Sequence, residues 1–138
     1  MTQTQSPPNP TKLFPLVITD DLDAIRAFYR EQIGAQFTFD LDNYLQVRFT
    51  ADEAGPELAF MQACEGTPAF AGQGIIVSIP TPDADAEHDR LLGRGATVRE
   101  APADRPWGWR SFHVPDPAGV VLDFFHVLPQ AAAADAAS

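Results

Sequence analysis

The chain repeats itself once, and the repeat restricts its folding more than any other feature. Thr19-Asp20-Asp21-Leu22-Asp23-Ala24 returns as Thr81-Pro82-Asp83-Ala84-Asp85-Ala86, 62 positions later, and Gly34-Ala35 returns as Gly95-Ala96, 61 positions later. Each copy starts with aspartates, runs for about three helical turns and stops at glycine. Aspartate at a helix start accepts from free backbone N–H groups and sits at the positive end of the helix dipole. Glycine takes the left-handed conformation that closes a helix. Leu22, Ile25, Phe28, Tyr29 and Ile33 give the first helix one apolar face, and Ala84, Leu91 and Leu92 give the second a poorer one.

Strand-like segments surround each helix. Residues 13–18 precede the first, and 35–40, 44–50 and 57–63 come after it; 74–79 precede the second, and 96–100, 109–114 and 120–127 come after it. Phe37 and Phe39 alternate onto one face, as do Leu45, Val47 and Phe49. Asp42-Asn43, Ala54-Gly55-Pro56 and Asp116-Pro117-Ala118-Gly119 supply the turns. The expected fold is therefore α+β, two tandem βαβββ repeats at 12–66 and 72–128 within one domain. Set edge to edge, they form a curved mixed sheet with helices outside and a concave cleft inside. The segments 1–11 and 129–138 read as disordered tails.

Composition narrows the partners. Nineteen acidic against nine basic residues give a net charge of −10, which repels phosphate backbones and argues against nucleic acid. No apolar run is long enough for a membrane helix. The polar, proline-rich start differs from a signal peptide. The single cysteine, Cys64, permits no intrachain disulfide. The cytoplasm is the expected compartment.

Three stretches carry a family resemblance: Asp21-Leu22 with Phe28-Tyr29 and Ile33-Gly34; Pro106-Trp107-Gly108-Trp109-Arg110-Ser111-Phe112; and Asp116-Pro117-Ala118-Gly119 running into Val120-Val121-Leu122-Asp123-Phe124. In this order, on top of the repeat, they resemble the glyoxalase / bleomycin-resistance / dioxygenase (vicinal-oxygen-chelate) superfamily over residues 12–128. The resemblance implies a homodimer and, in the family's enzymes, a divalent metal held from the first and last strand of each repeat. Those four positions read Phe14, Gln62, Ile76 and Asp123, one carboxylate, one amide and two apolar side chains. A catalytic metal generally needs three protein ligands, so no metal or other cofactor is expected. His88 reads as solvated, His113 as structural, and His126 as facing away from Asp123.

The cleft must then work with what it has. Phe39, Tyr44, Phe60, Trp107, Trp109 and Phe112 are the aromatic candidates, with Gln46, Arg48, Gln62, Arg110 and Asp123 as polar ones. Indoles beside glycine in a strand-entry loop suit stacking on a planar or cationic ligand. The leading expectation is a metal-independent binding protein for a small organic ligand, similar to the family's drug-sequestering members. The alternative is an enzyme (lyase, isomerase or ring-cleaving) with an atypical metal site or an acid–base pair of Asp123 with His113 or Tyr44. A regulatory module with a vestigial cleft ranks third.

Overall fold

The computed structural model describes residues 13–71 and 74–130; the expected tails lie almost entirely outside them. The first repeat is β1 (Leu16–Thr19), α1 (Leu22–Ala27) continued by a wide π turn (Phe28–Ile33), β2 (Gln36–Asp40), β3 (Tyr44–Arg48) and β4 (Glu57–Gln62). The second is β5 (Ile76–Pro80), α2 (Ala84–Gly93), β6 (Ala103–Asp104), β7 (Trp109–Pro115) and β8 (Val121–Val127). Each forms a four-stranded mixed sheet, ordered β1-β4-β3-β2 and β5-β8-β7-β6, whose first and last strands run parallel. The tandem βαβββ architecture is a direct consequence of the repeat.

The helix signals act as their chemistry requires. The Asp21 carboxylate accepts from Ala24 N, and that of Asp83 from Asp85 N and Ala86 N. Gly34 and Gly95 have φ of 76° and 85°, the left-handed region that other residues enter only at a cost. All five apolar residues of the first helix are buried; on the second, Ala84 and Leu91 are buried while Leu92 faces solvent.

The last strand of each repeat caps its own helix. Leu22 N donates to Gln62 Oε1 at 3.0 Å, and Ala84 N donates to His126 Nδ1 at 2.8 Å. The two side chains are therefore structural equivalents. Replacing His126 by alanine is expected to cost about 1 kcal/mol of folding free energy. His126→Gln, which copies the first repeat, should restore most of it in a urea titration.

Two segments depart from the alternation. The β2–β3 register shifts between Phe37 and Phe39, so Phe37 pairs with Val47 on the helix side while Phe39 pairs with Gln46 on the opposite face. A bulge inserts one residue and re-aims the side chains beyond it, which separates two phenylalanines expected on one face. The expected strand at 96–100 makes one ladder-like bond, Arg99 N to His113 O. The ladder itself forms beyond Pro102, where Ala103 and Asp104 pair with Ser111 and Arg110; proline has no N–H to continue it.

The helix-facing sides of both sheets meet in one core that includes Tyr29, Leu45, Val47, Phe60, Leu91, Phe112, Leu122 and Phe124. Polar contacts clamp the repeats together. Tyr29 Oη donates to Asp116 Oδ2 at 2.7 Å, Arg90 donates to Ile33 O, and Arg94 donates to Gln32 O. Among the described residues the two sheets share no ladder, and their other faces, here termed the open faces, lie opposite this core.

Candidate binding face

Strand parity settles which side chains reach the open faces. In the second repeat β7 presents Trp109, Ser111 and His113, and β8 presents Val121, Asp123 and Phe125. His113 and Asp123 are direct cross-strand partners, with Nε2 and Oδ1 3.4 Å apart. Ser78 of β5, paired with Asp123, donates to its Oδ2 at 3.1 Å. The Asp123 side chain is 9 % exposed, and its Oδ1 is buried without a hydrogen bond.

Beside this polar pair lies an aromatic surface. Trp109 stacks on Phe125 at 3.7 Å with an interplanar angle of 11°. Trp107 meets Trp109 edge-on and is 62 % exposed. Arg105 is held in place rather than free, donating to Ser111 Oγ at 2.9 Å and pairing closely with Glu100.

The first repeat's open face carries a different chemistry. Tyr44 Oη donates to Gln46 Oε1, and Gln46 Nε2 and Thr38 Oγ1 both donate to the buried Glu57 carboxylate. Burial, and then the nearby Glu57 charge, hold the Tyr44 phenol above its usual range. Arg48 turns along the edge to Gln36 and Thr50 O, and Phe39, 56 % exposed, touches Tyr44.

Four expected cleft residues sit on the other side. Phe60 is fully buried against Tyr29. Phe112 is fully buried between Phe124 and His88. Gln62 is taken up in capping α1. Arg110 reaches across to α2 and is held by Asp85 and Asp104 rather than Asp123, which raises its already high pKa further. β4 is buried on both faces from Glu57 to Phe60, so hydrophobicity alone gives no parity there. Sequence reasoning does not single out Phe125, Ser78, Ser111 or Glu57; the signal available for them is shared parity with Asp123, Trp109 or Tyr44.

The repeat also corrects the four metal positions. With Gln62 matched to His126, the residue matched to Asp123 is Ala59, which pairs with Leu16 as Asp123 pairs with Ser78. The four positions thus hold Phe14, Ala59, Ile76 and Asp123. Among the described residues no three His, Cys, Asp or Glu side chains converge, and one carboxylate with one imidazole falls short of a divalent-metal site. The donor set does not fit the metal of the family's enzymes.

A family model for these proteins matches residues 13–124. The chain belongs to the glyoxalase / bleomycin resistance protein / dioxygenase superfamily. Solved members of the superfamily share its fold. A glyoxalase / bleomycin resistance protein / dioxygenase from Nocardioides is 28 % identical with a TM-score of 0.73, covering 91 % of this chain and 87 % of that one. TnmS3, an antibiotic binding protein from Streptomyces sp. CB03234, is 27 % identical with a TM-score of 0.65, covering 84 % and 94 %. A lactoylglutathione lyase from Agrobacterium tumefaciens has the fold at 22 % identity and a TM-score of 0.63, covering 85 % and 94 %. No curated protein matches the chain at a significant level. Among the described residues no helix is long and apolar enough to cross a membrane.

Proposed function

We propose that this superfamily member binds a flat, aromatic organic ligand without a metal, on the open face of its second repeat. The observation that carries the reading is the Trp109–Phe125 stack with Trp107 beside it, on the same face as the buried Asp123 carboxylate and the partly exposed His113 ring. A rigid aromatic surface with a few placed polar groups is the usual make-up of a small-molecule site. The likeness to TnmS3, an antibiotic binding protein, supports it.

The ligand cleft is completed by a second copy. The edge strands β1 and β5 leave Leu16 49 % and Ile76 55 % exposed. Burying such side chains contributes roughly 1.5–3 kcal/mol each. Sedimentation equilibrium should give two chains per particle; a monomer that still binds ligand would remove this part of the proposal.

The test is a melting-temperature screen of flat aromatic compounds, cationic and neutral, in the presence of a chelator. A ligand present at a hundred times its Kd stabilises by about 2.7 kcal/mol, a shift of several degrees. Stabilisation that appears only after a divalent metal is added would favour the enzyme alternative.

A further inference from the structure

The two repeats leave space between them on the side away from the open faces. A cavity of about 480 Å³ lies there, walled by Ile33, Phe49 and Pro56 of the first repeat and by Ile79, Pro82 and Phe124 of the second. Ile79 and Phe124 are cross-strand partners and alternate with Ser78 and Asp123, so strand parity puts the cavity on the helix side of its sheet. It is separate from the Trp109 surface. Its size, its apolar walls and its place between two packed units are those of a small-molecule site.

The walls suit a chain better than a flat ring. Phe124 is buried and stacked on Phe112, and Phe49 meets Tyr29 edge-on. Both rings are therefore already used within the core. Two isoleucines and two prolines make up the rest of the apolar surface named above, and none of them offers a stacking platform.

The polar side chains at the cavity offer donors. Arg90 is held through Nε and Nη2 by Glu87 and by Ile33 O, while among the described residues its Nη1 has no hydrogen bond. Gly34 leaves that nitrogen uncovered: a β-carbon there would lie 3.5 Å from it and 3.1 Å from Arg94 Nη2. Thr81 Oγ1 accepts from Asp83 N at 3.2 Å, which leaves the hydroxyl proton to donate. Both Glu87 oxygens already face Arg90. A ligand's polar group must therefore accept, and a guanidinium bonds most strongly to a charged acceptor.

We infer that this cavity is a second binding site, which takes an aliphatic monocarboxylate with its chain between the repeats and its carboxylate on Arg90 Nη1. The site stands apart from the aromatic-binding face and does not depend on it.

Octanoate and octanamide share a chain and differ in charge, so they serve as probes of the whole protein. Calorimetry should give one octanoate per chain, bound about tenfold more tightly than octanamide. Arg90→Gln should bring the two affinities together, a change of ratio that mere loosening of the repeats would not produce. Pro56→Trp, at an exposed position on the wall, should fill the cavity and abolish binding of both probes. Trp109→Ala, on the opposite face, should not displace octanoate. Equal affinities in the parent, a ratio that survives Arg90→Gln, full binding in Pro56→Trp or loss of octanoate in Trp109→Ala would each overturn the inference. Absence of octanoate binding would overturn it too, and would leave the aromatic-binding reading, which is tested with flat compounds, untouched.

Discussion

Asp116→Ala should cost about 3–5 kcal/mol of stability, the largest loss expected from any single polar substitution in this chain. Asp116 is buried, and its carboxylate satisfies three donors at the junction of the repeats. Oδ1 accepts from Ala118 N at 2.8 Å and Val120 N at 2.9 Å, and Oδ2 accepts from Tyr29 Oη at 2.7 Å. Removing it strands those donors in a dry environment, where each unsatisfied group costs roughly 1–3 kcal/mol. Asp116→Asn retains an acceptor for the turn and should recover most of the loss. Chemical denaturation of the two variants measures the difference. A D116A protein as stable as the parent would show that the repeats are not clamped there.

The same contact sets an alkaline limit. Burial first, and then the Asp116 charge and hydrogen bond, hold the Tyr29 hydroxyl well above the usual 10.0. The folded state keeps this proton longer than the unfolded chain, so its stabilisation is complete below about pH 10 and is lost as pH rises through the folded value. Burial pushes the Asp116 carboxyl up as well, against the pull of its hydrogen bonds. That sign places the greatest stability from Asp116 at low pH, so acid unfolding must originate elsewhere. Tyr29→Phe should flatten the alkaline limb of a stability–pH profile and lower stability at neutral pH by about 1–3 kcal/mol.

Much of this architecture is legible in the sequence because repeat, cap and glycine all say the same thing. Asp21 with Gly34 and Asp83 with Gly95 bracket both helices by residue type alone. The faces are harder to read. A strand has a period of two, so one inserted residue, as at Thr38, reverses every assignment after it. A fixed repeat offset misplaces Gln62 because the spacing between repeats is not constant. It is 62 at the helix starts, Leu22 and Ala84, but 64 at the capping residues, Gln62 and His126. The second repeat's longer path through β6 and β7 takes up the difference. Asp123 lies on the open face, but its orphaned oxygen and the Trp109–Phe125 stack depend on cross-strand register, which no single segment encodes.

The second large effect concerns binding. Trp109 presents the only indole fixed by stacking among the described residues, and on the proposed binding face its loss would remove the largest apolar surface. Trp109→Ala should weaken binding of a flat aromatic ligand by about 2 kcal/mol, roughly thirtyfold in Kd. Trp107→Ala, at an exposed edge, should cost several times less. Both substitutions lie outside the shared core and should leave the fold intact.

Metal-free stacking of a flat ligand on Trp109 is tested by a fluorescence titration of chelator-treated protein with proflavine, a flat cationic dye. The chain has two tryptophans, so Trp109→Phe leaves Trp107 as the reporter and Trp107→Phe leaves Trp109. Saturable quenching of Trp109 emission, unchanged by added zinc or magnesium and weakened in Trp109→Ala when followed through the dye's own emission, is the predicted result. Quenching that requires a divalent metal, or binding that survives Trp109→Ala at full strength, would contradict it.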